Sequence, residues 1–175
     1  TMAHLKYEEF LRITKKLNEI GIIPLLMGSV GFEVVTDRSW DAEDIDIHVP
    51  GDKKGWEVPP EDSIFQWEEI MDVMSSLGYT LIDLHEHAFS NKGLCVEFGI
   101  IDTLPSFAGV ELKELEIYQD RGAKFYLLNI HQYIKVYEAS SKDSYRANQN
   151  NYKYISKIEF LKNRIQMKEA QSDSL

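Results

Sequence analysis

Cysteine and long apolar runs are scarce in this sequence, and each shortage excludes certain classes of protein. It holds a single cysteine, Cys95, which excludes an intramolecular disulfide and a cysteine-rich zinc site. Because Cys95 lies within an apolar run, we expect it to be a core residue. Apolar stretches such as 20–27 are far shorter than the roughly 20 residues that a membrane span requires. No membrane span is therefore expected.

Basic residues are also few: 19 Lys and Arg stand against 29 Asp and Glu, a net charge of −10. This balance disfavours long nucleic-acid partners, because a polyanion is bound by neutralising cations. Charged residues interrupt the apolar pattern near the N-terminus, which does not suit a signal-peptide core, so we expect a cytoplasmic protein. The 175 residues, 43% of them hydrophobic, predict a soluble globule with one proper core.

The periodicity of apolar residues predicts an α/β (α+β) fold, with a small mixed sheet and flanking helices. Predicted helices are 5–20, 29–35, 63–77, 130–139 and 143–166. Predicted strands are 22–27, 44–49, 79–84 and 94–101, with a hairpin around 85–93 and a less regular extended stretch at 116–128. We expect a core at 1–128, a C-terminal helical part at 129–168 that packs on it, and a flexible tail at 169–175.

The strand at 44–49 alternates strictly between polar and apolar residues. Its apolar side chains would face a core and its polar ones the opposite side, the former being Ile45, Ile47 and Val49 and the latter Asp44, Asp46 and His48. Neighbouring carboxylates on one face repel each other unless a cation lies between them, and hard oxygen ligands suit Mg²⁺. The alternative interpretation is the solvated face of an edge strand.

Two further features bear on this interpretation. Gly28 and Ser29 follow the run 22–27 at a predicted strand-to-helix turn, where Ser29 as N-cap and free backbone N–H groups would make a phosphate seat. Glu97 is a lone charge in the apolar run 94–101, so it either faces the same cation or lies on the outer face of the sheet. Asp102 is its rival, but the strand phase puts residues 97 and 102 on opposite faces.

Segments 25–29 and 44–49, with Glu97, resemble the nucleotidyltransferase superfamily, which includes DNA polymerase β and the aminoglycoside and lincosamide nucleotidyltransferases. In that superfamily an apolar strand ends in Gly-(Gly or Ser), the next strand carries Asp-x-(Asp or Glu), and a later strand carries a third acidic residue. Segment 134–145 is similar to the Lys-Asp signature in the C-terminal helices of antibiotic-modifying members and toxin-like relatives. The resemblance covers about residues 20–160.

The resemblance implies a nucleotidyltransferase-like core and a role for each matching residue. Gly28 and Ser29 would hold the triphosphate of an NTP, while Asp44, Asp46 and Glu97 would bind Mg²⁺, with Glu97 also serving as the general base. Cations near the leaving group would assist the transfer; the candidates are Arg38, Lys135, Lys142 and Arg146.

Histidines and tryptophans give weaker signals. His85 and His87 flank Glu86 and would ligate zinc or simply lie in a surface loop. Trp40 and Trp56 bracket the Asp strand, where an aromatic ring would stack on a base or an acceptor, whereas Trp67 has the helical spacing of a core residue.

We therefore expect a Mg²⁺-dependent nucleotidyltransferase that moves an NMP group from an NTP to a hydroxyl of a small molecule, such as an antibiotic. The net charge favours a cationic acceptor, for example an aminoglycoside. One alternative is a non-catalytic nucleotide-binding or toxin–antitoxin module of the same fold. Another is a metal-dependent phosphoesterase that uses the same carboxylates on a different fold.

Overall fold

The computed structural model describes residues 2–173, apart from the side chains of residues 2–4, 144–152 and 173. Arg146, one of the predicted cations, therefore lies outside the described side chains. The helices are α1 (Met2–Glu19), α2 (Gly28–Thr36), α3 (Pro60–Ser63), α4 (Trp67–Ser76), α5 (Leu104–Ala108), α6 (Ile130–Lys142) and α7 (Ser144–Asp173). The strands are β1 (Leu25–Met27), β2 (Ile45–Val49), β3 (Thr80–Asp83), β4 (Ala88–Asn91), β5 (Leu94–Ile100), β6 (Glu116–Asp120) and β7 (Ala123–Leu127).

The strands form one seven-stranded mixed sheet in the order β3-β4-β5-β2-β1-β7-β6. At its centre β2 pairs antiparallel with β1 and parallel with β5, and β1 pairs parallel with β7. Antiparallel pairs complete both sides of the sheet. The predicted mixed sheet with flanking helices is confirmed, and β2, which carries the Asp-x-Asp pattern, is a central strand rather than an edge strand.

Each face of the sheet has its own apolar core. Phe10, Ile13 and Leu17 recur at helical spacing on α1, and they pack with α4 residues and with the inward side chains of β2. The second core joins β1 to α5, α6 and α7, but no residue of β2 or β5 belongs to it. The helices on this second face therefore leave the polar side of β2 and β5 uncovered, and a cleft opens there.

The alternation of β2 determines which side chains reach the cleft. Ile45, Ile47 and Val49 are buried in the first core, while Asp46 and His48 are partly exposed on the other face. The division of faces predicted for this strand is confirmed. None of the described helices combines the length and the apolar character needed to cross a membrane.

Two predicted elements are wrong. The helix predicted at 63–77 is two helices, α3 and α4, because Ile64 forms an extended bridge with Gly51, and Gln66 has a left-handed backbone with φ of +59°. Phe65, between the two helices, is 53% exposed. The connection predicted at 85–93 contains β4, which pairs with both β3 and β5, so the hairpin is a three-stranded meander.

Candidate active site

Carboxylates converge where β2 and β5 run side by side. The parallel register places Asp46 opposite Glu97. Carboxylate oxygens of Asp44 and Glu97 and the Sγ atom of Cys95 all lie within 4.8 Å of one another. The structure thus brings together the three acidic residues predicted as metal ligands. We call Asp44, Asp46 and Glu97 the carboxylate cluster.

The pKa values of two of these acids reflect burial and crowded negative charge. Burial and, after it, the charges of Asp46 and Asp44 together raise the pKa of Glu97 to about 7. Burial, followed by the charges of Glu43 and Asp46, also raises the pKa of Asp44. Carboxylates held in this way favour binding a proton or a cation, because either one relieves their repulsion.

Cys95 is a neighbour of the cluster, so its predicted place in the core is wrong. It is half-buried, because β5 turns Val96 and Phe98 into the first core and leaves Cys95 on the face of Glu97. Burial, and then the charges of Asp44 and Glu97, raise the pKa of the thiol. Cys95 is therefore a neutral thiol near neutral pH rather than a reactive thiolate.

Gly28 lets the strand-to-helix turn approach the cluster closely. Its φ of +62° lies in the left-handed region, and a Cβ atom at this position would be 2.8 Å from Asp46 Oδ2. Its carbonyl accepts a hydrogen bond of 3.2 Å from the hydroxyl of Tyr133, which is fully buried. Glycine is required here both for the backbone conformation and for the space that Asp46 occupies.

Ser29 lies in the first turn of α2, so the prediction that it is the N-cap of this helix is wrong. The N-cap residue is Met27, and no side chain caps the helix. The helix begins one residue earlier than predicted because Gly28 enters it directly from β1. The Ser29 hydroxyl instead accepts a hydrogen bond of 3.0 Å from the Nζ atom of Lys157 on α7.

Lys157 is the site residue that the sequence interpretation missed. It is only 2% exposed, and its ammonium lies 5.3 Å from the ring centroid of Phe32 and 5.2 Å from that of Tyr137. Burial, followed by the charge of Lys153, lowers its pKa to about 8. Lys157 lies three residues after Tyr154 and four before Leu161, on the inward stripe of α7.

The cations predicted near the leaving group lie elsewhere. The guanidinium of Arg38 stacks on the rings of Trp40 and Phe160, at 4.3 and 4.9 Å from their centroids. Lys135 and Lys142 line a separate depression beside α5, where Lys135 donates to the carbonyl of Gly109 at 3.4 Å. None of the three is among the described residues that line the cleft. For Lys135 and Lys142 the reason is that helix spacing alone does not tell which face α6 turns to the sheet.

The acidic rival of Glu97 and the predicted histidines each have a different environment. Asp102 accepts a hydrogen bond of 2.9 Å from the backbone N–H of Gly51, so it supports the loop after β2 and not the cluster. His87 is buried against Trp67, and its Nε2 atom lies 2.7 Å from the carbonyl of Pro60, while His85 is exposed. The two histidines therefore form no paired zinc ligands. His48 lies over Gly99, where any Cβ would overlap its ring.

The cleft has a volume of about 1280 Å³ and extends from the carboxylate cluster to the loop after β2. Trp56 lines it and is 91% exposed, although its turn is fixed by hydrogen bonds from the N–H of Gly55 to Asp52 and from the N–H of Val58 to Gly55. Phe107 on α5 also lines the cleft and is exposed. Trp67, by contrast, is buried in the first core, as predicted.

This architecture is a nucleotidyltransferase-like fold. The crystal structure of an antigenic nucleotidyltransferase-like protein from Paracoccidioides brasiliensis matches it with a TM-score of 0.52 and 14% identity, over 85% of this chain and 71% of that one. At this identity the similarity concerns the fold alone.

A sequence relative defines the family. The uncharacterized protein YnaI of Bacillus subtilis (strain 168) is 41% identical over 159 aligned residues, and the match covers 89% of this chain and 94% of that protein. The chain therefore belongs to the same family as YnaI. No protein-family model matches it.

Proposed function

We propose that the protein is a Mg²⁺-dependent nucleotidyltransferase that transfers an NMP group from an NTP to a hydroxyl of a small molecule. The observation that carries this proposal is the approach of the Gly28–Ser29 turn to three converging carboxylates. A turn with free helix N–H groups suits phosphate, and an oxygen-rich cluster suits the divalent ion that accompanies an NTP.

The chemistry of the donor set supports Mg²⁺. Asp46 and Glu97 offer hard oxygen atoms on two hydrogen-bonded strands, and Asp44 directly precedes β2. The raised pKa of Glu97 reflects burial and a repulsion that a divalent cation would offset. When bound, Mg²⁺ would supply charge neutralisation for the triphosphate and would lower the pKa of the acceptor hydroxyl.

The residues of the chain divide the work as follows. Asp44 and Asp46 would hold the metal, and the Gly28–Ser29 turn would orient the phosphates. Glu97 would accept the proton of the acceptor hydroxyl.

The cleft supports a small-molecule acceptor. Its volume of about 1280 Å³ exceeds the roughly 300–1,000 Å³ typical of a site for one drug-sized ligand, which leaves room for a nucleotide and a second molecule. Trp56 offers that second molecule a ring to stack on. Acidic residues line the same cleft, among them Asp41, Glu57 and Glu86, and they favour a cationic acceptor such as an aminoglycoside.

The test is transfer of label from each of the four α-labelled NTPs to a panel of cationic and neutral hydroxyl compounds. We expect Mg²⁺-dependent transfer that Asp44→Ala and Asp46→Ala abolish without unfolding the protein. Asp72→Ala, which changes an exposed carboxylate on α4, is the matched control and should keep full activity. Full transfer by both cluster variants would refute the proposal. Mg-NTP binding without release of pyrophosphate would indicate a non-catalytic nucleotide-binding module.

A further inference from the structure

The chain's single thiol lies on the same face of the sheet as the carboxylate cluster. The parallel register of β2 and β5 pairs Asp46 with Glu97, and two positions earlier on these two segments lie Asp44 and Cys95. Because side chains two residues apart on a strand share a face, all four point to the cleft side. One sulfur atom and three carboxylates therefore lie next to one another.

Three of these side chains converge closely enough to share one ion. A carboxylate oxygen of Asp44, a carboxylate oxygen of Glu97 and the Sγ atom of Cys95 lie within 4.8 Å of one another. Two ligands of one zinc ion lie about 3.5 Å apart, since Zn–O and Zn–S bonds are about 2.0–2.3 Å long. Small side-chain rotations would therefore close this set around an ion. Among the residues that the structure describes, no other three His, Cys, Asp or Glu side chains converge in this way.

No side chain of the protein neutralises this group of ligands. Among the described side chains, neither Asp44 nor Glu97 forms an ion pair with a lysine, an arginine or a histidine. Cys95 and Glu97 are half-buried, so water screens their surroundings only in part. Neighbouring carboxylates without a protein cation favour a cation from solution.

The hydroxyl of Tyr137 is an independent sign that the cleft takes up a ligand. The residue is 5% exposed and lines the cleft, and its hydroxyl oxygen has no hydrogen-bond partner among the described residues. The charge of Asp46 acts on this hydroxyl, so the two groups lie within electrostatic range of each other. Because buried polar groups almost always have a partner, a water molecule or ligand group held at the carboxylate cluster would satisfy it.

Sulfur changes which ion such a site prefers. Mg²⁺ takes oxygen ligands and keeps several waters, whereas a thiolate ligand favours Zn²⁺ and similar thiophilic ions. We infer that Asp44, Cys95 and Glu97 form a binding site for a thiophilic divalent cation of the zinc class, and that Cys95 is the residue that selects this ion over Mg²⁺. Binding replaces the S–H bond with a metal–sulfur bond, and the thiol proton passes to solvent.

The site overlaps the proposed Mg²⁺ site, because both use Asp44 and Glu97. Occupation by Zn²⁺ would therefore displace Mg²⁺ and stop transfer, a consequence that rests on the proposed function. Binding of the ion itself needs neither a nucleotide nor an acceptor. It can be measured on the protein alone.

Co²⁺ and Zn²⁺, each added alone to protein freed of metal with EDTA and then desalted, are the probes. With Co²⁺ we expect a thiolate-to-cobalt charge-transfer band in the near ultraviolet, which only a sulfur ligand produces. Calorimetry should show that Cys95→Ser weakens Zn²⁺ binding by at least about 10-fold and changes Mg²⁺ affinity by less than about 2-fold. The cobalt band should be absent from this variant.

Ser90→Ala is the matched control. Ser90 on β4 is the cross-strand neighbour of Cys95, and its replacement should leave both the cobalt band and the Zn²⁺ affinity unchanged. A second measurement needs no variant: saturating Zn²⁺, but not Mg²⁺, should slow alkylation of the single thiol of the wild-type protein by at least about 10-fold. This measurement carries the test if Cys95→Ser does not fold.

The inference is overturned if wild-type protein shows no charge-transfer band, if Cys95→Ser binds Zn²⁺ as tightly as wild type, or if Zn²⁺ leaves alkylation unchanged. The two proposals also fail separately. Cys95-dependent Zn²⁺ binding without transfer from any NTP would leave the thiophilic site standing and refute the proposed function. Mg²⁺-dependent transfer, together with Zn²⁺ binding that ignores Cys95, would support the proposed function and refute the site.

Discussion

Replacing Gly28 with alanine should destabilise the protein and disturb the carboxylate cluster at the same time. The left-handed φ of +62° costs an alanine about 1 kcal/mol, and the new Cβ atom would lie 2.8 Å from Asp46 Oδ2 and 2.9 Å from Asp46 Cβ. Since β2 is paired on both sides, Asp46 has little freedom to withdraw. Overpacking of this kind adds about 1–3 kcal/mol.

Gly21→Ala is the matched control for the cost of placing an alanine in a left-handed backbone conformation. Gly21 has a φ of +84°, and nothing lies within 4 Å of a Cβ atom added there. In a domain of this size each kcal/mol lowers Tm by about 2–4 °C. In a thermal-unfolding scan we expect Gly21→Ala to lower Tm by about 2–4 °C and Gly28→Ala to lower it by at least about twice as much.

Mg²⁺ titration separates the local effect from the loss of stability. Displacement of Asp46 in Gly28→Ala should weaken Mg²⁺ binding measured by calorimetry, whereas Gly21→Ala should bind Mg²⁺ like wild type. Equal losses of Tm in the two variants, together with unchanged Mg²⁺ affinity in Gly28→Ala, would show that the close approach to Asp46 has no energetic weight.

Three further variants probe the carboxylate cluster, the cleft and the loop after β2. The pKa of Glu97 is raised from 4.5 to about 7 on folding, so its charge should reduce the stability of metal-free protein as pH rises through that interval. Glu97→Gln should flatten this loss in a series of Tm measurements, and an unchanged pH profile would contradict it. Trp56→Ala should leave Tm within about 2 °C of wild type and raise the KM for the acceptor alone; a parallel rise for NTP would exclude an acceptor role. Asp102→Ala should cost about 1–3 kcal/mol through the Gly51 N–H but keep Mg²⁺ affinity, and weakened affinity would place Asp102 in the site.

Local sequence patterns predicted the elements in which buried and exposed residues alternate regularly. Strict alternation of polar and apolar residues sufficed to predict β2, because successive residues of a half-buried strand face the core and the other side in turn. The turn at Gly28 was also predictable, since a glycine between an apolar strand and a helix marks a backbone bend. The division at Ile64–Gln66 was not, because it depends on the bridge between Ile64 and Gly51.

The sequence predicted the candidate site residues that the strands carry, but not Lys157, which α7 carries. Asp44, Asp46 and Glu97 are fixed by strand phase and by the pairing of adjacent strands. Lys157 could not be recognised as buried until α7 was packed on α6, because the same spacing on an isolated helix allows a lysine to reach solvent. Cys95 was misplaced for a related reason: a run of apolar letters hides which face of the strand each one occupies.

The contact between Ser29 and Lys157 joins residues 128 positions apart, which has a consequence for the order in which the protein becomes competent. Synthesis proceeds from the N-terminus, so β2 and β5 leave the ribosome well before α7 does. A nascent chain can therefore assemble the carboxylate cluster before the cation that faces it has been made. Residues of α7 line one side of the cleft, so the cleft stays incomplete until this helix has been translated and has docked.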